Sequence, residues 1–179
     1  AGVLFVCLFL VHGALWLGIR ADGDLSRRAE RLAGKLWPVL TGVAVVFLAA
    51  TYIYTPLYDI YLANPVLFLV PVLAVAAIVG IRYFLMQQAL FKAWLSSALT
   101  IVSCTFFGVI GLFPNMFPSS IDAKYSLTAF NASSSPLTLK IMLIVVVIFI
   151  PVVLAYQIWA YKLFSVKVTD EDLAHEETY

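Results

Sequence analysis

Five apolar runs, each about as long as a bilayer's hydrocarbon core is thick, decide what this chain can fold into. They lie at roughly 1–19, 36–56, 65–83, 94–113 and 137–161. A membrane-spanning helix needs about 20 such residues, and each run is nearly free of charge in its middle. Lipid offers no partner to an unpaired backbone N–H or C=O, so a spanning segment must close its own hydrogen bonds as a helix. The period-2 alternation of barrel strands is missing, which excludes a β-barrel. The expected fold is therefore all-α, a multi-pass transmembrane helical bundle with five spans. A soluble globule is excluded by composition. Hydrophobic residues make up 63% and charged residues 12%, too little polar surface to cover a water-facing domain.

The connections divide the chain. Residues 1–19 read as the last helix of a preceding bundle, and 20–35 as a charged cytoplasmic linker, partly helical on the surface. Residues 36–161 read as a C-terminal four-helix bundle with an outer loop at 114–136, and 162–179 as a cytoplasmic tail. The aromatic 57–64 stretch is a short linker, and 84–93 is a helix end followed by an interfacial turn. The chain starts at Ala1 inside an apolar run, with no initiator Met and no basic region of a signal peptide. This reads as a start within a longer protein. Nine of the 11 Lys and Arg residues fall on alternate connections that share one side. The positive-inside rule makes that side cytoplasmic, with the C-terminus inside and the 114–136 loop outside.

Few side chains offer chemistry. His12 is the only histidine within a span. A histidine at that depth can ligate haem, relay protons or tie two helices by a hydrogen bond. Haem usually takes a second axial ligand, and Met86, Met116 and Met142 all lie near segment ends, which favours the hydrogen bond. Asp59 sits beside Tyr58 and Tyr61 at an outer end, as a headgroup-level carboxylate or a proton exit. Lys140 opens the last span, where a lysine snorkels and could meet a lipid or quinone headgroup.

Tyr52, Tyr54, Tyr58 and Tyr61 at outer ends, with Trp37, Trp94, Trp159 and Tyr161 at inner ends, read as aromatic belts. Pro71 and Pro151 are expected to kink their spans, and Gly42, Ala44, Gly108 and Gly111 to permit close helix packing. Cys7 and Cys104 read as small buried hydrophobes. CxxC, HExxH and phosphate-loop patterns are missing from the sequence, and Asn131-Ala-Ser133 is a sequon that matters only in a secretory pathway. These residues suggest no catalytic set, no metal site and no nucleic-acid surface.

The 111–140 stretch, GLFPNMFPSSIDAKYSLTAFNASSSPLTLK, is the most distinctive. It resembles the loop before the last transmembrane helix of subunit II of cytochrome bd quinol oxidases. The resemblance continues through Gly13-Ala14 and Asp22-Gly23-Asp24-Leu25, through Ser96-Ser97 to Phe113-Pro114, through Ser126-Leu-Thr128 and Leu137-Thr-Leu139, and through Tyr161–Phe164 and Val168–Asp172. It covers nearly the whole chain and is similar to helices four to eight of that family's eight.

The resemblance implies a membrane complex, of the respiratory electron-transport chain, that oxidises quinol, reduces O2 to water and builds a proton gradient. It implies a bacterial or archaeal cytoplasmic membrane. Haem b and haem d would sit in a partner, subunit I, and this chain would bind none, acting as a non-catalytic stabilising subunit of a heterodimer. A structural quinone, membrane lipid and small accessory subunits are further expected partners. The acidic residue best known for the family's proton path lies in the early helices and has no counterpart here. Two other readings stay open: half of a secondary transporter, for which only His12 lies at mid-depth, and a subunit carrying its own haem on His12.

Overall fold

The structure is a computed structural model and describes residues 1–163. Six helices account for nearly all of it: α1 (Gly2–Arg20), α2 (Gly23–Tyr54), α3 (Asp59–Ala63), α4 (Leu69–Met86), α5 (Leu90–Leu112) and α6 (Pro136–Leu163). All but α3 are long and apolar enough to cross a membrane, α4 together with the 3-10 turn Pro65–Phe68 that leads into it. The described residues form two compact units, 1–112 and 113–163.

In the first unit α1 packs on α2 and α5, and α4 packs on α5 and α2. Its core is built from small side chains. Ala14, Ala29, Ala33, Ala44, Ala74, Ala77 and Ala93 are buried, with Leu4, Leu8, Val11, Leu15, Leu40 and Ile81 between them. Many larger apolar groups, such as Val46, Ile53, Val72 and Phe106, are exposed. That is the distribution lipid demands: large side chains lose nothing by facing acyl chains, while small ones let backbones approach. Gly80 sits at such an approach, where a Cβ would come within 3.1 Å of Ser96 Oγ. Gly42 and Gly108 have nothing within 4 Å, so those two expected packing glycines are not contact points. Gly111 is one, because a Cβ there would overlap Leu57.

The segment expected as a linker at 20–35 is helical from Gly23 onward, so α2 runs for 32 residues. Only Ala21 and Asp22 separate it from α1. Gly23 takes φ 61°, a left-handed conformation that glycine adopts without strain. Ser26 Oγ donates to Gly18 O at 2.8 Å and ties the two helices across the turn. Pro71, expected to kink its span, stands in the first turn of α4. Its missing N–H would have no helical partner there anyway, so nothing is broken. Pro38 and Pro151 are the prolines inside helices.

At the other tight turn α4 ends in a Schellman arrangement. Ala89 N–H bonds Phe84 O at 2.9 Å and Gln88 N–H bonds Leu85 O at 3.0 Å. Gln88 holds φ 56°, the position where glycine is the usual choice. The helix end and turn expected within 84–93 thus fall at Gln87–Ala89, without a glycine.

The second unit joins a polar loop to α6. A two-stranded antiparallel ribbon pairs β1 (Asn115–Phe117) with β2 (Leu127–Thr128). The Phe113–Pro114 bond is cis. Side chains substitute for missing backbone partners: Ser126 Oγ accepts Ser119 N–H at 3.0 Å, and Asn131 Oδ1 accepts Thr128 N–H at 2.7 Å. Asn131 Nδ2 returns a bond to Ser126 O at 3.0 Å. Lys124 donates its backbone N–H to Asp122 and sets its ammonium 3.1 Å from the same carboxylate. Both hold the Asp122 carboxyl below its usual range.

Replacing Gln88 with Gly should raise stability by about 0.5–1 kcal/mol, because the left-handed strain outweighs glycine's extra unfolded-state freedom. Thermal unfolding in detergent measures this. A fall in the midpoint would show that Gln88 carries no such strain.

Candidate functional site

His12 lies on α1 and reaches across to α5. Its Nδ1 is 2.7 Å from Ser97 Oγ. Ser97 is fully buried, and its one hydroxyl proton is donated to Trp94 O at 2.6 Å. The serine oxygen can therefore only accept from the histidine. This assigns the proton to Nδ1 and leaves Nε2 as the ring's acceptor in the neutral form. The imidazole also lies against Trp94, 5.2 Å between centroids, and Trp94 meets Trp16 at 5.1 Å and Phe91 at 5.8 Å. Arg20 lies 4.9 Å over the Trp16 ring. The indole Nε1 of Trp94 is buried without a hydrogen-bond partner among the described residues.

Trp94 and Trp37 are half-buried against the helix core. Trp37 donates Nε1 to Ile78 O at 2.8 Å. Ser97 was the residue that sequence reasoning missed. Its signal was the buried series Ser97, Thr100 and Ser103, a hydroxyl at every third position of α5, which marks one helix face.

Asp59 opens α3 and its side chain is exposed. The neighbouring tyrosines face elsewhere. Tyr61 is 0% exposed, and its hydroxyl donates to Phe107 O at 2.8 Å. Its ring packs on Phe107 at 5.2 Å and on Phe68 at 5.7 Å, while Tyr58 meets Phe107 edge-on at 5.6 Å. Burial first, then the nearby Tyr58, pushes the Tyr61 hydroxyl up to about 12, so it stays a donor at any physiological pH. Tyr61 is a core residue that closes one end of the bundle, not a belt residue; a buried hydroxyl with a carbonyl partner has no need of an interface. The structure therefore does not bring Asp59 and the Tyr61 hydroxyl together.

An apolar cavity of about 160 Å³ lies among α1, α2, α4 and α5, lined by Leu4, Trp37, Thr41, Pro71, Cys104 and Phe107 among others. Cys7 and Cys104 are free thiols that pack against the same core. Lys140 is exposed in the first turns of α6. No group of three or more His, Cys, Asp or Glu that could hold a metal occurs among the described residues.

Long lipid-compatible helices joined by tight turns, with small residues and isolated hydrogen bonds at their contacts, define a multi-pass membrane protein of the helical-bundle class. A family model described as cytochrome bd terminal oxidase subunit II matches residues 1–164. The chain belongs to that family. It is 31% identical over 173 residues to cytochrome bd ubiquinol oxidase subunit 2 of Bacillus subtilis, covering 96% of this chain and 50% of the relative. It is 30% identical to the probable cytochrome oxidase subunit 2 of Haemophilus influenzae, covering 92% of this chain and 50% of that one. Against cytochrome bd-I ubiquinol oxidase subunit 2 of Escherichia coli K12 it is 30% identical, with 97% and 53% covered. The chain spans about half the length of the curated relatives it matches.

A double-mutant cycle on His12→Phe and Ser97→Ala tests the interhelical bond. Phenylalanine keeps the packing on Trp94, so each single variant should lose about 0.5–1.5 kcal/mol and the pair should be non-additive by a similar amount. Strict additivity would mean the 2.7 Å contact carries no energy. Tyr61→Phe should lose about 1 kcal/mol in the same assay, since it leaves the Phe107 carbonyl without its side-chain donor.

Proposed function

We propose that this chain supplies helices to the haem-free subunit of a membrane quinol:O2 oxidoreductase. In that role it packs against a haem-bearing subunit I, holds it in an assembled heterodimer and supports quinol oxidation, reduction of O2 to water and formation of a proton gradient. The observation that carries the reading is the family match over residues 1–164. The five spanning helices support it. Because the chain spans only half of its relatives, the activity, the quinol and the partner are properties of the whole assembly.

Several features favour a stabilising role over a catalytic one. The one histidine at mid-depth spends Nδ1 on a structural hydrogen bond to Ser97, and its ring is stacked on an indole. We read His12 as an interhelical tie and not as a haem ligand or proton relay. Haem b and haem d then belong to the partner. Asp59, exposed at the end opposite the basic turns, fits a headgroup-level carboxylate, and Lys140 a snorkelling cation near a lipid or quinone headgroup. The apolar cavity is suited to a hydrocarbon or isoprenoid tail. The sidedness of the basic residues favours a cytoplasmic membrane of a bacterium or archaeon with the C-terminus inside. The tail from Phe164 onward, with its share of those cations, lies outside the described residues. The transporter reading gains nothing from the comparisons.

The test is a reduced-minus-oxidised visible spectrum of the complex that co-purifies with this chain after mild extraction. Haem b and haem d bands should appear with a larger partner and be lost when the chain is stripped away. His12→Phe should leave the bands unchanged, and Asp59→Asn should leave turnover and its pH dependence unchanged. No haem and no larger partner would return the transporter reading. Altered bands in the His12 variant would make this chain a haem ligand, and a changed pH profile at Asp59 would make that carboxylate a proton exit.

A further inference from the structure

The basic end of α2 forms a groove that the family reading does not use. At 32 residues α2 is about 48 Å long, well beyond a hydrocarbon core of ~30 Å. The surplus is the charged stretch Gly23–Lys35, beside the last turns of α1. Between them lies a groove of about 480 Å³, lined by Leu17 of α1 and by Leu25, Arg28, Ala29, Arg31, Leu32 and Lys35 of α2.

The groove has two chemistries. Arg28, Arg31 and Lys35 stand three and four residues apart, which gathers them on one helix face. No ion pair engages any of them among the described residues: the pairs there are Arg27 with Asp24 at 3.9 Å and Lys124 with Asp122. Three like charges on one face repel one another until an anion arrives. Alongside them in the groove Leu17, Leu25 and Leu32 are 43%, 48% and 50% exposed. At the level of the polar headgroups such leucines stay uncovered unless something apolar lies along them. A phosphate ion would satisfy the cations and leave the leucines bare. An amphiphile with an anionic head and a hydrocarbon chain satisfies both.

We propose that this groove is a binding site for an anionic phospholipid. Arg28, Arg31 and Lys35 hold the headgroup phosphate, and Leu17, Leu25 and Leu32 receive the start of an acyl chain. Basic side chains near a membrane surface attract anionic lipid by about 1 kcal/mol each, so three together predict at least a tenfold preference over a zwitterionic lipid. The site rests on the membrane reading of the helices and not on the oxidase activity, so it would survive a failure of that activity.

Native mass spectrometry of the delipidated full-length protein in its assembled complex tests this. Phosphatidylglycerol and phosphatidylcholine of matched chains are titrated separately. The unaltered protein should retain phosphatidylglycerol at least about tenfold better. The triple variant Arg28→Gln/Arg31→Gln/Lys35→Gln should lose that preference, and Arg27→Gln, whose side chain lies outside the groove, should keep it. Where the triple variant does not assemble, the single exposed change Arg31→Glu should cut the preference several-fold. Equal retention of both lipids, or a preference untouched by these variants, would overturn the proposal. Excess inorganic phosphate should leave the lipid in place; full displacement would identify a free-phosphate site and overturn the lipid assignment.

Discussion

Close approach of helix backbones through small side chains is the interaction on which the first unit depends. In lipid, burying a leucine against another helix gains little over leaving it among acyl chains. Cohesion must come from contacts that lipid cannot imitate. Alanines at 14, 29, 33, 44, 74, 77 and 93 are buried, and Gly80 faces Ser96 across the α4 and α5 contact. These narrow contacts bring dispersion and hydrogen-bonding groups within reach. The two tight turns follow from the same economy, since Ala21–Asp22 and Gln87–Ala89 leave successive helices no choice but to lie antiparallel.

Hydrogen bonds between helices are few and specific. Two buried hydroxyls, those of Thr51 and Thr100, return to a carbonyl four residues back and so cost little in lipid. Among the described residues, side chains that instead cross between elements include His12 to Ser97, Trp37 to Ile78 O, Tyr61 to Phe107 O, Ser26 to Gly18 O and, at 3.5 Å, Tyr58 to Leu48 O. They are spread from one end of the unit to the other. Together they fix register where apolar packing alone would allow sliding. The stabilising role proposed above would gain from that rigidity.

The ends of the unit differ in kind. One is closed by Tyr61, Phe107, Phe68 and Leu57, an apolar plug under the short helix α3. The other carries arginines and lysines on helix ends, with Arg82 5.9 Å over Trp37 and Lys92 5.9 Å over Phe84. Aromatic faces there support cations that remain available to anions. The basic groove of α2 belongs to this end, and its surplus length beyond the hydrocarbon makes a headgroup-level site geometrically natural.

The sequence by itself determined that five long apolar helices form, because a run of about 20 apolar residues has one way to satisfy its backbone in lipid. It also carried the family resemblance, through the polar loop at 111–140. Helix limits near charged or proline-bearing ends were less legible. The linker at 20–35, expected to be partly helical, is helix from Gly23 onward because charge marks exposure and not loss of helicity, and Pro71 fell in a first turn where it does no harm. Only the tertiary structure decided what the polar and aromatic residues do. The sequence left His12 open as ligand, relay or tie, and could not show that its Nδ1 lies 2.7 Å from Ser97 Oγ on α5. Tyr61 looked interfacial because amphipathic rings favour headgroups, yet it is fully buried. Depth along a helix can be counted in a sequence, but which side of the helix meets a neighbour is set by packing, and packing is what put His12 against Ser97 and Tyr61 against Phe107.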